Sequence, residues 1–340
     1  MTTEARERLL SGQTVLITGG GGTIGSEIGR QVAERKPARI VCLGRREEKL
    51  IAARNELRAR TPDVDVATEV CDVRERVRLA SVFSMHRPTI VFHAAAKKDI
   101  RDAEAYPTEA VTVNVQGTVN VVDLALANGS EKLLFTSSTK AFQPVSVMGA
   151  TKRLGEMIVA AAAERAGKAF FSVRLSNVLE SGGGVHALFR RQIESGGPVT
   201  VTHPHAERTF VSAAETVRLL LDALSLEAQG SVLALAAGKK TNIGKLAQHL
   251  ISAHGQRAGS EIEIEYSGLR RGEKLVEHVT LDGTQWLPTP HEQILVSGLD
   301  GPSAPGLAHS IRKLVFLAQG GDAAAALERL RKLAPSLQLG

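Results

Sequence analysis

A cluster of glycines near the N-terminus has the spacing of a phosphate-binding loop. Gly19, Gly22 and Gly25 follow the β-branched run at 15–18 and stand at the start of an amphipathic stretch, 23–35. Glycine allows a tight turn and a close approach of the backbone to a pyrophosphate, which then lies at the positive end of the helix. The strand before and the helix after favour a dinucleotide site over a merely flexible turn. We expect the dinucleotide to contact Gly19, Gly22, Thr23, Ile24 and Gly25.

The end of the second predicted strand indicates which dinucleotide is bound. Folds that bind NAD usually carry an acid there, about 20 residues after the glycines, that accepts a hydrogen bond from the ribose 2′-hydroxyl. This chain has Arg45 and Arg46 instead, and a guanidinium can bind a 2′-phosphate through two hydrogen bonds. The alternative is that both arginines begin an exposed helix and neutralise Glu47 and Glu48. We predict NADP(H) rather than NAD(H).

Two further strand ends are expected to complete this site, because ligands of open α/β sheets bind at the carboxyl ends of the strands. Asp72 and Val73 follow the third predicted strand, and Asp72 is placed to accept a hydrogen bond from the adenine amino group. An Asp in this position is also a common helix cap. Ala94 and Ala95 end the fourth predicted strand and are assigned to the same site.

The elements that must hold these residues alternate along the chain. Short β-branched runs separated by helix-like stretches predict the α/β class, with a doubly wound parallel sheet covered on both faces. The predicted strands lie at 15–18, 39–43, 66–70, 89–95 and 132–138, and the predicted helices at 23–35, 46–60, 107–127 and 149–166. We expect a Rossmann domain at 12–176 and, at 177–340, a smaller substrate-binding lobe with C-terminal helices, some elements of which can return to the first domain. Residues 284–310, with several Pro and Gly, are predicted to form a loop or linker.

Composition limits the class of protein. Hydrophobic residues make up 43% and charged residues 23%, and no apolar run is long enough to span a bilayer. The first residues lack an apolar signal core, so we expect a cytoplasmic protein that binds no membrane. A net charge of +6 suits anionic ligands, whereas 4% aromatic residues lack the stacking surface of a single-strand nucleic-acid binder. The histidines and the two cysteines show no metal-ligand spacing, and we predict no metal.

Four longer motifs are more specific than the glycine loop. They are VFHAAAKKDIRDAEAYPTEAVTVNVQGTVNVVDLA, TSSTKAFQPVSVMGATKRLGEM, VRLSNVLESGGGVHALFRRQIESGGPVTVTHPHAERTF and SGLRRGEKLVEH. Together, in order along residues 12–280, they resemble the UDP-N-acetylglucosamine 4,6-dehydratase and capsular polysaccharide biosynthesis group of the extended short-chain dehydrogenases. The resemblance implies a tightly bound, internally recycled NADP(H) and a nucleotide-sugar substrate, most often a UDP-sugar. It also implies a homo-oligomer, for which the apolar faces of 107–127 and 149–166 are suited.

The resemblance assigns chemical roles to four residues. Ser138 corresponds to the hydroxyl residue at the end of the fifth strand, and Lys152 to a lysine that holds the nicotinamide ribose. The family pattern Ser-Thr-Asp-Lys reads Ser137-Ser138-Thr139-Lys140 here, so Thr139 replaces the acid that protonates the departing C6 hydroxyl. Lys140 remains as a base for the C5 proton if its surroundings favour the neutral amine.

A second departure from the family is Met148, where many short-chain dehydrogenases carry the tyrosine that accepts the C4 hydroxyl proton. Methionine cannot take a proton, so Lys140, a hydroxyl of Ser138 or Thr139, or a water are the candidates. Contacts with the diphosphate and the sugar are carried over from the family to Lys98, Asn177, Arg208, Arg270 and Glu273.

Three functions are compatible with these residues. Loss of the acid at Thr139 favours an epimerase that oxidises a UDP-N-acetylhexosamine-like sugar to a transient 4-keto form, inverts a centre and reduces it again. Family membership favours a UDP-N-acetylglucosamine 4,6-dehydratase in which a water or another carboxylate replaces the acid. A third hypothesis is a non-catalytic NADP-binding or assembly protein, against which the retained Lys140 and Lys152 count.

Overall fold

A large twisted sheet and a smaller lobe make up the fold, which the computed structural model describes over residues 9–179, 184–277, 286–297 and 306–337. The strands are β1 (Thr14–Thr18), β2 (Arg39–Gly44), β3 (Asp65–Val70), β4 (Ile90–His93), β5 (Lys132–Ser138), β6 (Ala169–Leu175), β7 (Asn177–Val178), β8 (Val199–Val201), β9 (Glu207–Val211), β10 (Val232–Leu235), β11 (Lys239–Asn242), β12 (Ile264–Tyr266), β13 (Leu287–Pro288) and β14 (Ile294–Ser297). The helices are α1 (Thr23–Ala33), α2 (Glu47–Arg60), α3 (Arg76–His86), α4 (Ile100–Ala105), α5 (Pro107–Ala127), α6 (Val147–Ala166), α7 (Val185–Glu194), α8 (Ala213–Ala223), α9 (Ile243–Ala253), α10 (Leu307–Gln319) and α11 (Ala323–Leu333).

The order of the strands identifies a doubly wound fold. The large sheet runs β13-β14-β10-β6-β5-β4-β1-β2-β3, and its strands from β10 to β3 are parallel. The chain moves outward from β1 to β3 and then returns to the other side of β1 at β4. A crevice therefore opens at the carboxyl ends of β1 and β4, where such sheets bind ligands. The predicted fold class is confirmed.

Alternate side chains of β1 enter two different cores. Leu16 belongs to a core shared with α5 and α6, whereas Val15 and Ile17 belong to one shared with α1 and α8. All three side chains are fully buried. Since helices cover both faces, a central strand must be apolar at every position, and this explains the unbroken apolar runs in the sequence. Cys42 and Cys71 are free and buried, although Cys71 lies one residue beyond β3.

The smaller lobe has a core of its own. Strand β9 pairs with β7 and β11, and β8 pairs with β12. Helices α7 and α9 pack with these strands around Phe189, Phe210 and Ile251, and this core shares no residue with the other two. The lobe brings Asn177, the first residue of β7, and Arg208, in β9, to the crevice of the large sheet.

The predicted loop or linker at 284–310 is wrong in part. Strand β14 pairs antiparallel with β10 at the edge of the large sheet, β13 pairs with β14, and α10 begins at Leu307. The short apolar run of β14 is surrounded by Pro, Gly and polar residues, which hid it from the sequence pattern. A strand of only four residues is stabilised by pairing with its neighbours, here β10 and β13, more than by its own sequence.

Two C-terminal helices cover surfaces that the sequence analysis assigned to subunit contact. Helix α10 packs on α5, and α11 packs on α5 and α6. Ile311, Leu314 and Leu330 join the same core as Val111 and Ile158. The apolar faces of 107–127 and 149–166 are therefore partly buried within the chain. A homo-oligomer stays a prediction, and its subunits would contact each other through a different surface or through the part of these two faces that α10 and α11 do not cover.

Helix α5 corrects one expectation from composition. Over its 21 residues it is long and apolar enough to cross a membrane by length and composition alone. However, 67% of its most apolar window is buried inside the fold, which is typical of a core helix. It contains a π-helical turn at Thr112–Gln116, and the helix lies against β4 and α6 beside the site.

Candidate active site

The glycine loop joins β1 to α1 at the crevice between β1 and β4. Gly19 has a φ of +72°, and a Cβ there would lie 2.9 Å from backbone atoms of Ala94 and Ala95. A Cβ on Gly25 would collide with the Gly19 carbonyl oxygen. Gly22 precedes α1 without a capping side chain, so the first N–H groups of the helix are available to an anion. These residues fit a dinucleotide pyrophosphate, and Thr23 and Ile24 line the same cleft.

Arg45 lies at the carboxyl end of β2, beside two acids. Its side chain is 54% exposed, and its Nη1 is 3.7 Å from Asp72 Oδ2 and 3.8 Å from Glu109 Oε1. Arg74 holds Asp72 more closely, through its backbone N at 2.9 Å, Nε at 3.0 Å and Nη2 at 2.7 Å. Burial raises the pKa of Asp72, but Arg74 and Arg45 outweigh it and lower that pKa. An adenine amino group would have to share the Asp72 oxygens with Arg74.

Three cations line the neighbouring wall of the cleft. They are Arg46, Lys49 and Lys98. Desolvation lowers the pKa of Lys98, and the charges of Lys49 and Arg46 lower it further, against the opposing effect of Asp99. The resemblance assigned Lys98 to the substrate, whereas the structure places it near the cations of the cofactor end. An anion bound here would meet three positive charges, of which Lys98 also has the carboxylate of Asp99 nearby.

Lys152, on α6, is a buried lysine that reaches the cleft. It is 5% exposed, its Nζ donates a hydrogen bond to the Thr136 carbonyl oxygen at 2.7 Å, and the ammonium lies 4.6 Å from the centre of the Phe135 ring. Burial lowers the pKa of Lys152 to about 7, and Glu156 opposes this only in part. The amine can therefore change protonation state near neutral pH.

His93, at the end of β4, forms a buried link beneath this lysine. Its Nδ1 shares a hydrogen bond with Thr18 Oγ1 at 2.7 Å, and its Nε2 shares one with Thr118 Oγ1 at 3.0 Å. Burial, together with the charge of Lys152, lowers the pKa of His93 to about 3, so the ring is neutral. The histidine joins β1, β4 and α5 and has a structural role.

Lys140 lies in a short turn that follows β5, at the other end of the cleft. Its backbone N donates to Ser138 Oγ, which lines the cleft, at 3.3 Å. Its Nζ donates to Asn177 Oδ1 at 3.0 Å and to Glu277 Oε2 at 2.8 Å. Thr139 is 4% exposed, and its hydroxyl donates to Glu277 Oε2 at 3.2 Å. The structure thus turns Thr139 toward a buried carboxylate rather than into the cleft.

Glu277 is the residue that sequence reasoning missed. Its side chain is 5% exposed, and besides Lys140 and Thr139 it binds Asn177 Nδ2 at 3.2 Å and Arg208 Nε at 3.1 Å. The residue stands in the motif SGLRRGEKLVEH, from which only Arg270 and Glu273 were chosen. A lone Glu offers no spacing signal, and its partners lie far away along the chain.

The residues assigned to the substrate meet at this end of the cleft. Asn177, Arg208, Arg270 and Glu273 all line it. Besides its ion pair, Arg208 Nη1 donates to the carbonyl oxygens of Glu207 at 2.8 Å and Leu275 at 3.1 Å, which hold the guanidinium in place. The backbone N of Glu273 donates to the Arg270 carbonyl oxygen at 3.0 Å, so both side chains project from one turn.

Both groups of residues line one continuous cleft of about 670 Å³. The glycine loop, Arg45 and Arg46 form one part of it, and Lys140 and Arg208 form another. Met148 also lines the cleft, where its thioether can contact a ligand but cannot accept a proton. The two groups of residues therefore face one shared space.

Known proteins of similar sequence identify the family of this chain. A family model described as "Polysaccharide biosynthesis protein" matches residues 15–298. The capsular polysaccharide biosynthesis protein CapD of Staphylococcus aureus is 42% identical over 274 residues, covering 80% of this chain and 46% of CapD. The probable polysaccharide biosynthesis protein EpsC of Bacillus subtilis is 40% identical over 279 residues, covering 82% of this chain and 46% of EpsC. This chain thus spans about half the length of these two relatives. The UDP-glucose 4-epimerase of Rickettsia canadensis is 32% identical, covering 78% of this chain and 76% of the epimerase.

Solved structures show the same fold. Pen from Bacillus thuringiensis superposes with a TM-score of 0.76 and 30% identity, covering 85% of this chain and 90% of Pen. DesIV of Streptomyces venezuelae, a dTDP-glucose 4,6-dehydratase solved with NAD bound, has a TM-score of 0.69 at 20% identity, covering 79% of this chain and 88% of DesIV, and is alike in fold. The resemblance in the motifs is confirmed: the chain belongs to the polysaccharide biosynthesis protein family, a group of nucleotide-sugar epimerases and dehydratases with the Rossmann fold of extended short-chain dehydrogenases.

Proposed function

We propose that this chain is an NADP(H)-dependent nucleotide-sugar epimerase or 4,6-dehydratase that acts through a transient 4-keto sugar on a UDP-N-acetylhexosamine. The observation that carries the proposal is the continuous cleft, in which a dinucleotide loop and its cations adjoin a buried lysine–carboxylate pair. The epimerase and dehydratase relatives support the reaction class.

The residues present fit the proposed cofactor. The glycine loop and the first turn of α1 would hold its pyrophosphate, and Arg45 and Arg46 its 2′-phosphate. When bound, such a cofactor would supply the hydride acceptor for oxidation at the sugar C4 and the hydride donor for the later reduction, without net redox change. Lys152 would hold a ribose hydroxyl, and in its protonated form its charge favours the ionisation of a nearby hydroxyl.

The proton chemistry falls to the lysine and hydroxyl at the end of β5. Since Met148 cannot accept the C4 hydroxyl proton, Ser138 and, as the neutral amine, Lys140 are the candidates at the end of β5, and both line the cleft. Lys140 is also the group that can move a proton next to the keto carbon. Arg208 and Arg270 would bind diphosphate oxygens through their planar guanidinium groups.

The outcome after oxidation depends on the missing acid. A threonine hydroxyl is too weak an acid to protonate a departing C6 oxygen, so Thr139 favours epimerisation. The second candidate, 4,6-dehydration, is supported by family membership and needs another proton donor, because Glu277, at 3.2 Å from Thr139 Oγ1 and 2.8 Å from Lys140 Nζ, accepts from both as an ionised carboxylate.

Product mass distinguishes the candidates. The purified chain is incubated with UDP-N-acetylglucosamine and other UDP, GDP and dTDP sugars in D₂O or H₂¹⁸O, and the products are analysed by mass spectrometry. A loss of about 18 mass units, one water, indicates dehydration, whereas an isomer, with or without one solvent deuterium, indicates epimerisation. Bound NADP(H) without conversion of any sugar would overturn the proposal in favour of a non-catalytic protein.

A further inference from the structure

One buried carboxylate joins four residues that the sequence assigned separately to catalysis and to substrate binding. Glu277 Oε2 accepts from Lys140 Nζ, Thr139 Oγ1 and Asn177 Nδ2, and Oε1 pairs with Arg208 Nε. The carboxylate comes from a segment 137 residues beyond Lys140. Each partner is polar or positive, so the arrangement stabilises an anion at this point.

The charges around Glu277 keep it ionised. Burial raises the pKa of its carboxyl, but the positive charges of Lys140 and Arg208, with hydrogen bonds from Lys140 and Asn177, lower that pKa below its ordinary value. The ionised carboxylate and Lys140 Nζ form an ion pair at 2.8 Å.

We propose that Glu277 is a positioning residue for Lys140: from a distant segment it supplies the negative charge that the family pattern has at position 139, as an ion-pair partner and not as a proton donor. The role of Glu277 in the reaction rests on the proposed function. The electrostatic coupling between Glu277 and Lys140 does not. Lys140 Nζ is fixed between Glu277 Oε2 and Asn177 Oδ1, at 2.8 and 3.0 Å. The other oxygen of Glu277 binds Arg208, so one carboxylate couples the charge at the predicted diphosphate-binding arginine to the proton-transfer lysine.

The coupling can be measured without turnover. Lys140 in the full chain is labelled with acetic anhydride over a series of pH values and quantified by peptide mass spectrometry. Glu277→Gln keeps the shape but removes the charge, and we expect the midpoint of Lys140 labelling to fall by about 1 to 3 pH units. Glu265→Gln, which removes an exposed carboxylate from β12 in the same lobe, should leave it unchanged. An unmoved midpoint in folded Glu277→Gln would overturn the proposal.

A second carboxylate should rescue the first. Thr139 Oγ1 lies beside Glu277 Oε2, so Thr139→Asp combined with Glu277→Gln returns a negative charge close to Lys140. We expect the labelling midpoint to move back toward the wild-type value, and a double variant that labels like Glu277→Gln would contradict the equivalence of the two positions. If Glu277→Gln does not fold, Glu277→Asp carries the test. Glu277→Asp shortens the side chain by one methylene group and moves the carboxylate away from Lys140, so the labelling midpoint should fall less than in Glu277→Gln. An unchanged midpoint with unchanged kcat would overturn the proposal.

The pH profile of sugar conversion separates positioning from a purely structural role. We expect the profile of kcat in Glu277→Gln to shift together with the labelling midpoint, whereas a structural defect lowers kcat equally at every pH. If the wild-type chain converts no sugar while the labelling shift is present, the proposed function fails and the Lys140–Glu277 coupling stands. If the enzyme is active and neither profile moves, this inference alone fails.

Discussion

The two ends of the cleft hold their lysines in opposite ways. At the cofactor end, Lys152 donates to a carbonyl oxygen, and Glu156, the acid that raises its pKa, is itself bound by Arg174 at 2.7 Å. At the sugar end, Lys140 pairs directly with Glu277 at 2.8 Å. Burial therefore acts on Lys152 with little compensation, whereas Lys140 has a carboxylate in contact.

The difference indicates where each end obtains its negative charge. Arg46, Lys49 and Lys98 line the cofactor end together, so an anionic cofactor can supply the balancing charge there. At the sugar end the protein itself provides Glu277, which partly neutralises Lys140 and Arg208 before any substrate binds. The three cations at the first end lack a carboxylate in contact among the described residues, whereas Lys140 and Arg208 at the second share one.

The largest expected effect is loss of activity in Lys152→Met. This change removes the amine but retains most of the side-chain volume, and we expect kcat for sugar conversion to fall by about 10² to 10⁴-fold. Thermal stability should stay at or above that of wild type, because a buried positive charge without a contacting acid is removed. Steady-state kinetics and thermal unfolding measure both effects.

The control is Lys313→Met, an exposed lysine of α10, which should alter neither kcat nor stability. Full activity in Lys152→Met would contradict this comparison of the two lysines, since Lys152 would then have no part in the chemistry. A large fall in melting temperature would instead show that the ammonium stabilises the fold.

A smaller effect is expected when the arginines at the end of β2 are removed. Arg45→Ala combined with Arg46→Ala should weaken NADP(H) binding by about 10- to 100-fold and change NAD(H) binding little, because a guanidinium–phosphate hydrogen bond contributes about 1.5 to 3 kcal/mol. Calorimetric titration with both cofactors measures this. Arg39→Ala, at the opposite end of the same strand, serves as control. An equal loss for both cofactors would contradict the NADP assignment.

A further effect is a pH dependence of stability. The pKa of Lys152 is about 7 in the folded chain and ordinarily 10.5, so between these values the unfolded chain binds a proton that the folded chain does not. The contribution of Lys152 to the free energy of unfolding therefore rises as pH increases from about 7 to about 10.5. Urea unfolding at several pH values should show the difference between wild type and Lys152→Met rising across this window. A flat difference would mean that Lys152 keeps its proton.

Local sequence predicted much of the cofactor end. The glycines, their strand and their helix lie within a few residues of one another, and Arg45 and Arg46 follow β2 directly. Such features depend on neighbours along the chain and on the rule that parallel strands end at the same edge of a sheet. Strand order and the cleft at β1 and β4 follow from the same alternation.

The sugar end could not be predicted in the same way. Lys140 and Asn177 were found through their motifs. The replacement for the acid missing at Thr139 was expected to be a water or another carboxylate, and no motif pointed to Glu277. Strand β14 was also missed, because its pairing with β10 decides its structure. The covering of α5 and α6 by the C-terminal helices was missed for the same reason, since an apolar helix face does not reveal what packs on it.

The sequence by itself therefore determined the fold class, the glycine-rich turn between β1 and α1 and the family, because these depend on short spacings and periodic patterns. Only the tertiary structure decided that Thr139 turns toward Glu277, that Glu277 pairs with Lys140 and Arg208, and that Lys152 is buried without an acid in contact. The physical reason is that electrostatic environment depends on distances of a few ångströms between residues that can lie far apart in sequence, as Lys140 and Glu277 do at 137 positions, and no local pattern contains those distances.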